Sequence, residues 1–348
     1  MLALGGTVNA ITPADNKAHE TIDTNLAKTV NNAYDQYLLL VGKTKDNMTH
    51  VIFNNTGSSG PPAPTPVEIC GDGIDNDGDG LVDEGCPVTP PPVGDKPDVN
   101  VNASKWLRVV SLGDIDDNGG LTTQLNLAKK YNAAALVFPG DYGYSNCDKI
   151  LQKIIAIGIQ AIMTQGNHDC CSATMKFNNM TKLYGTVNIE NKTAFFLIDA
   201  NQGFSCTSPQ FNDLKTQMET TNAMYKIPVV HQPFVTVKSQ HAPNGQFQCW
   251  DPLFKAQGVT DVLQAHNHNY QRIQVNSIDY HVLGTGTHDT GSSMYPLNSD
   301  NWNGFKCLKC ITGTNGITIM DFQIDNATQR SMQGWFISNS EQVKDKFN

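Results

Sequence analysis

The chain has 348 residues, enough for one large domain or two moderate ones with a substantial core. Its formal net charge is −9 and it carries no Lys/Arg-rich run, which argues against binding to nucleic acid or to an anionic membrane surface. No apolar stretch reaches the roughly 18 residues that a membrane-spanning helix needs.

The start, Met1-Leu2-Ala3-Leu4-Gly5-Gly6, lacks a basic n-region, so either a leader has been removed or export uses another signal. Residues 1–57 are polar and Thr/Asn-rich. Within them, 37–41 and 51–53 fit two strands around a turn at 43–47, while 33–40 also fits a short helix. The role of this region is not readable from its residues; assembly or anchoring is one candidate. Residues 58–99 form a linker, with Pro-rich stretches at 57–66 and 87–97.

Within the linker, Cys70 and Cys86 bracket a loop carrying Asp75, Asp77, Asp79, Gly80 and Asp83. Acids at positions 1, 3, 5 and 9 with glycine at 6 match the first half of a calcium loop, but position 12 is Cys86 rather than the Glu of an EF-hand. The loop resembles the disulfide-closed, Asp-rich calcium repeats of extracellular proteins such as thrombospondin type 3 repeats. The resemblance implies Ca²⁺ held by Asp75, Asp77, Asp79 and Asp83, stiffening a spacer. Cys70 and Cys86 are the expected disulfide pair.

From residue 100 to 348 the pattern changes to apolar strands alternating with helices. Strands are predicted over 107–112, 133–138 and 160–164, and helices over 121–131 and 149–157. Continuous apolar runs of this kind are buried in sheets covered on both faces. Later strand-like runs fall at 194–198, 227–230, 259–263, 279–283 and 317–324, several of them antiparallel in character. The predicted fold class is α/β, a mixed two-sheet β-sandwich flanked by helices.

Five short motifs follow these strands: Gly113-Asp114-Ile115-Asp116, Gly140-Asp141-Tyr142-Gly143-Tyr144, Gly166-Asn167-His168-Asp169, Val229-Val230-His231 and His266-Asn267-His268. Carboxylates, an amide and imidazoles at strand ends are the donors that Fe, Mn and Zn take, unlike a structural thiolate site. The set resembles the metallophosphoesterase superfamily and specifically the purple acid phosphatases, whose pattern GDxG, GDxxY, GNH(D/E), VxxH, GHxH reads here GDID, GDYGY, GNHD, PVVH and AHNH. The flanks agree, in His231-Gln232-Pro233, Asn269-Tyr270-Gln271-Arg272 and Leu283-Gly284-Thr285-Gly286. The likeness runs from about residue 107 to the C-terminus.

By position, the resemblance implies that Asp114, Asp141, Tyr144 and His268 hold a first metal, Fe(III) in the family. Asp141 would bridge to a second ion (Fe, Zn or Mn) completed by Asn167, His231 and His266. A phenolate at Tyr144 would give the family's purple colour. A metal-bound hydroxide would attack the phosphorus of a phosphomonoester, with His168 protonating the leaving alkoxide and His241 contacting the phosphate. Asp169 is expected to orient a neighbouring histidine. Asp116 stands where the wider superfamily often has a ligand histidine, and so competes with Tyr144 for the first metal. Tyr142 is a lesser competitor, and His281 and His288 read as structural or rim residues.

Nine cysteines favour an oxidising, extracellular or secreted setting, and their odd number leaves at least one unpaired or bonded to another chain. Cys170, Cys171, Cys307 and Cys310 read as disulfide formers rather than ligands, since thiolates prefer softer metals. Sequons at Asn47, Asn54, Asn102, Asn179, Asn191 and Asn326 are compatible with glycosylation. The expected activity is that of a secreted acid phosphatase. A phosphodiesterase or nucleotidase, and an extracellular filament or assembly subunit displaying a phosphatase-like domain, are the alternatives.

Overall fold

A computed structural model describes residues 95–348, apart from 145, 238–240, 290–300, 303 and 327–329. The calcium loop with Asp75, Asp77, Asp79 and Asp83, the Cys70–Cys86 pair and the region 1–57 lie outside the described residues. The described residues fall within a single unit, Val88–Asn348.

The first sheet grows from three parallel strands, β1 (Trp106–Ser111), β2 (Ala135–Phe138) and β3 (Gln160–Met163). They are joined by helices α1 (Gly119–Lys130) and α2 (Cys147–Ile157), and α3 (Cys171–Asn178) follows β3. The second sheet contains β4 (Gly185–Ile189), β5 (Thr193–Ile198), β6 (Tyr225–Val230), β7 (Asp261–Gln264), β8 (Tyr270–Val275), β9 (Ile278–Leu283), β10 (Asn301–Trp302) and β11 (Phe305–Ile311). Helices α4 (Pro209–Thr220) and α5 (Phe247–Ala256) are inserted between its strands. The chain then returns to the first sheet through β12 (Gly316–Gln323), β13 (Met332–Ser338) and β14 (Val343–Phe347). The orders are β14-β13-β12-β1-β2-β3 and β10-β11-β8-β9-β7-β6-β5-β4.

Alternation of side chains decides the layering. In β1, Leu107 and Val109 face the second sheet, in one cluster with Phe195, Leu197, Ile227, Val229 and Leu263, while Val110 joins Leu121, Leu125, Ile150 and Ile154 under the helices. On the outer side of the second sheet, Ala194, Phe196 and Ile198 of β5 meet Leu214 and Met218 of α4 and Trp250 and Phe254 of α5. Both faces of each central strand are thereby apolar, which is why these runs read as continuous in the sequence. The helices are started by local chemistry: Asn118, Asn146 and Ser208 each accept a hydrogen bond from a first-turn amide of α1, α2 and α4.

One charge pair interrupts the core. Arg108 of β1 lies opposite Asp321 of β12, with Nε to Oδ1 at 2.6 Å and Nη2 to Oδ2 at 2.7 Å, both side chains at most 1% exposed. Its remaining nitrogen donates to the carbonyls of Tyr131 and Asp98. This bidentate contact fixes the register of β12, the strand that brings the chain back to the first sheet.

Three disulfides join Cys147 to Cys170, Cys206 to Cys249 and Cys307 to Cys310. The first ties the start of α2, just after the Gly140–Tyr144 loop, to the segment just after Gly166–Asp169.

Candidate metal centre

Every motif lies where a strand ends. Asp114 follows β1, Asp141 follows β2, Asn167 and His168 follow β3, His231 follows β6 directly, and His266 and His268 follow β7. All five strands end on one edge of the sandwich, the carboxyl edge where α/β sheets carry their ligands. Backbone bonds stitch the loops together: Gly113 N–H to Leu283 O at 2.8 Å links the two sheets, and Ile115 N–H to Asp141 O at 2.8 Å links the loops after β1 and β2.

The backbone is strained at the donors themselves. Asp114, Asp141 and His266 adopt φ of 56°, 55° and 71°, in the left-handed region that non-glycine residues avoid. Such conformations persist where surrounding structure over-determines them, and they cluster at functional sites. Two glycines make room for them. A Cβ on Gly166 would lie 2.1 Å from Asp141 Oδ1, and one on Gly140 (φ +94°) would lie 2.6 Å from the His231 ring.

Asp141 Oδ2 is the centre of the arrangement. It accepts from Tyr144 Oη at 2.7 Å and lies 3.2 Å from His231 Nε2. On one side of it, Tyr144 Oη, Asp114 Oδ1 and His268 Nε2 converge, with Tyr144 to Asp114 at 3.2 Å, Tyr144 to His268 at 2.9 Å and His268 to Asp114 at 3.2 Å. On the other, Asp141, His231 and His266 offer ligand atoms all within 4.8 Å of one another, His231 Nε2 and His266 Nδ1 being 3.1 Å apart. Two donor groups sharing one carboxylate oxygen fit the chemistry of a pair of cations bound by hard oxygen and imidazole ligands.

The rings are held by neighbours. His231 Nδ1–H donates to Pro139 O at 2.9 Å, which leaves Nε2 facing Asp141. His268 Nδ1 lies 2.5 Å from Asp289 Oδ2, which likewise leaves Nε2 for the site. Asp289 was not readable from the motifs. Nor was the placement of His288, whose ring stacks on Tyr144 at 3.4 Å and 7°, and which forms a second potential ligand group with His268 and Asp289. Because Nδ1 of His268 is taken by Asp289, the Nε2 side, with Asp114 and Tyr144, is the stronger candidate. Both residues follow the Gly284-Thr285-Gly286 turn closely, and that proximity was the one available signal.

Other predicted residues fall as follows. Tyr142 is fully buried and bonded to Thr174, so it belongs to the core and Tyr144 is the tyrosine at the site. Asp116 reaches the edge: Oδ1 accepts from the Asp117 amide, and Oδ2 lies 3.6 Å from His288 Nδ1. Asn167 and His168 are exposed; the His168 ring lies 4.5 Å from that of Tyr144, and its amide donates to Asp141 Oδ1 at 2.9 Å. His241 stacks on His266 at 3.9 Å. His281 is buried and paired with Asp261 at 2.9 Å, away from the motifs as expected.

Asp169 corrects its expectation. It orients no histidine; its carboxylate accepts from the backbone amides of Gly166, Tyr142 and Asp141 at 2.6, 2.6 and 2.9 Å. It therefore positions the Gly140 and Gly166 loops. The distinction is physical: backbone N–H groups in tight turns are the nearest unsatisfied donors, and a short carboxylate satisfies three of them at once.

The buried carboxylates shift the titration of the groups around them. Burial disfavours protonated His231, but Asp141, Asp114 and Asp169 outweigh it and lift its pKa to about 9. His268 reaches about 9 in the same way, burial being overcome by Asp114 and Asp289. Burial, then His231 and His241, depress His266 to about 3. Tyr144 is pushed up by burial and by Asp114 and Asp141, so its phenol keeps its proton.

No sequence-family model matches the chain, and no curated protein is significantly similar to it. Solved structures do match. GAP50, the anchor in the inner membrane complex of Plasmodium, is 17% identical with a TM-score of 0.52, over 70% of this chain and 88% of its own. The purple acid phosphatase PPD1 from yellow lupin (Lupinus luteus) seeds is 14% identical with a TM-score of 0.56, over 70% of this chain and 53% of its own, so this chain spans about half the length of the lupin enzyme. The chain has a metallophosphoesterase-like fold: two mixed sheets flanked by helices.

Proposed function

We propose that the chain is a metal-dependent hydrolase of phosphate esters, acting on monoesters outside the cell. The observation that carries this reading is Asp141 Oδ2 standing between the Asp114–Tyr144–His268 group and the His231–His266 group. Two bound metal ions, Fe with Fe, Zn or Mn, would supply Lewis acidity toward the phosphate and activate water. Asp114, Asp141, Tyr144 and His268 would hold one ion; Asp141, His231, His266 and Asn167 the other. His168, exposed beside Tyr144, would give a proton to the leaving alkoxide, and His241, stacked on His266, would contact the phosphate. Asp169 fixes the loops on which Asp141 and Asn167 sit. The three disulfides support an oxidising compartment.

Purified protein loaded with Fe, Zn or Mn should hydrolyse p-nitrophenyl phosphate, and chelation should stop it. Absence of turnover with every metal tested would reject the enzymatic reading. A second reading, display or anchoring without catalysis, is favoured by the match to 88% of GAP50. It expects a folded protein without turnover.

Metal uptake should also depend on pH with a definite sign. His231 and His268 hold protons up to about pH 9, and each must lose one to bind. Apparent affinity should therefore rise between pH 6 and pH 8, by up to about tenfold per pH unit for each proton displaced. Calorimetric titration in buffers of different ionisation enthalpy measures the released protons. Affinity independent of pH would contradict the assignment of these imidazoles.

A further inference from the structure

Beside the metal centre, on the Asn167 side, a groove runs past Asn167, Leu183, Asp199, Asn201 and Gln202. It is continuous with the site, since Asn201 Nδ2 donates to Gly166 O at 3.0 Å and Asn201 Oδ1 accepts from Gln232, the residue after His231, at 2.9 Å. Its walls carry the amides of Asn167, Asn201 and Gln202 with the carboxylates of Asp169 and Asp199, and its apolar contact is the half-buried Leu183. None of the described lining residues is cationic.

Under the groove lies a charge. Asp199 is fully buried and forms no ion pair among the described residues. Its partners are donors without charge, the Asn201 amide at 3.0 Å and Gln202 Nε2 at 2.6 Å, which suit an anionic carboxylate. Gln232 Oε1, next to them, is buried with no hydrogen-bond partner. Amide groups and one aliphatic side chain suit a molecule with hydroxyls and a C–H face, whereas a buried negative charge with no counter-cation repels a second anion.

We propose that this groove receives the alcohol half of the substrate, and that this half is uncharged and hydroxyl-bearing, as in a sugar or polyol phosphate, rather than polyanionic. This rests on the phosphoesterase reading above. Within it, Asn201 acts as a positioning residue for the groove, and Asp199 as the residue that excludes anionic leaving groups.

The experiment compares kcat/KM for glycerol phosphate and glucose 6-phosphate with that for ATP, using metal-loaded wild type and Asp199→Asn, with p-nitrophenyl phosphate as common reference. The polyol and sugar esters should exceed ATP by at least about tenfold, and Asp199→Asn should shrink that ratio by about fivefold or more. Hydrolysis of p-nitrophenyl phosphate with ATP as good a substrate as the polyol esters overturns this inference while leaving the phosphoesterase reading intact. An unchanged ratio in Asp199→Asn removes Asp199 from it. Ligand-observed NMR provides a readout without turnover: wild type should bind glycerol phosphate in preference to ATP. The reverse order overturns the proposal even if no ester is hydrolysed.

Discussion

Asp141→Asn should lower kcat/KM by at least about 10³-fold, equivalent to roughly 4 kcal/mol of transition-state stabilisation. The substitution keeps the shape of the side chain but replaces a carboxylate by an amide. Oδ2 accepts from Tyr144 at 2.7 Å and faces His231 Nε2 at 3.2 Å, and Oδ1 accepts from the His168 amide at 2.9 Å. An amide lacks the charge needed to sit between two cations, so metal content should fall along with turnover. Asp289→Asn supplies the graded comparison. Asp289 touches His268 Nδ1 and not the centre, so its loss should weaken metal affinity by about 10–100-fold without abolishing it. Full activity in Asp141→Asn would remove that residue from the site.

The second large effect concerns stability. Asp321→Ala should destabilise the fold by about 3–5 kcal/mol, because it strands the Arg108 guanidinium inside the sheet. Arg108 is 1% exposed and donates two of its hydrogen bonds to Asp321. Replacing both residues with apolar side chains of similar size should cost far less than either single change, since no unpaired charge is then buried. Denaturant unfolding of the two single variants and the double variant measures this. Single variants within about 0.5 kcal/mol of wild type would contradict the account.

The parts of the fold legible in the sequence share one physical property. Strands such as β1, β2, β5 and β6 are buried on both faces, so their residues are mainly apolar, Arg108 in β1 and Lys226 in β6 being exceptions. Strand β8, Tyr-Gln-Arg-Ile-Gln-Val, mixes polar with apolar residues, and Arg272 in it is engaged by Asp345. Strand β11 is largely exposed and carries Lys306 and Lys309, and β14 reads Val-Lys-Asp-Lys-Phe, so neither stands out as a strand by hydrophobicity. Helix α4 buries little beyond Leu214, Met218 and Gln210, which leaves a weak periodic signal.

The site was legible for a related reason. Side chains that converge from several strand ends are pinned in chain order and type, so Asp114, Asp141, His231, His266 and His268 could be picked out together. Residues that act through them carry no such pattern. Asp289 holds a ring from a loop, and Asp169 holds backbone amides, and any short carboxylate near the right turn would look the same in sequence. The choice between Tyr142 and Tyr144 rested on spacing, whereas the structure separates them by burial and by contact with Asp114, Asp141 and His268.

The account stands most directly on the number of metal ions the chain holds. Elemental analysis of wild-type protein, loaded with Fe, Zn or Mn and freed of excess ion, should find two transition-metal ions per chain, falling to one or none in Asp141→Asn. Wild-type protein that retains no transition metal at neutral pH, while properly folded, would contradict it.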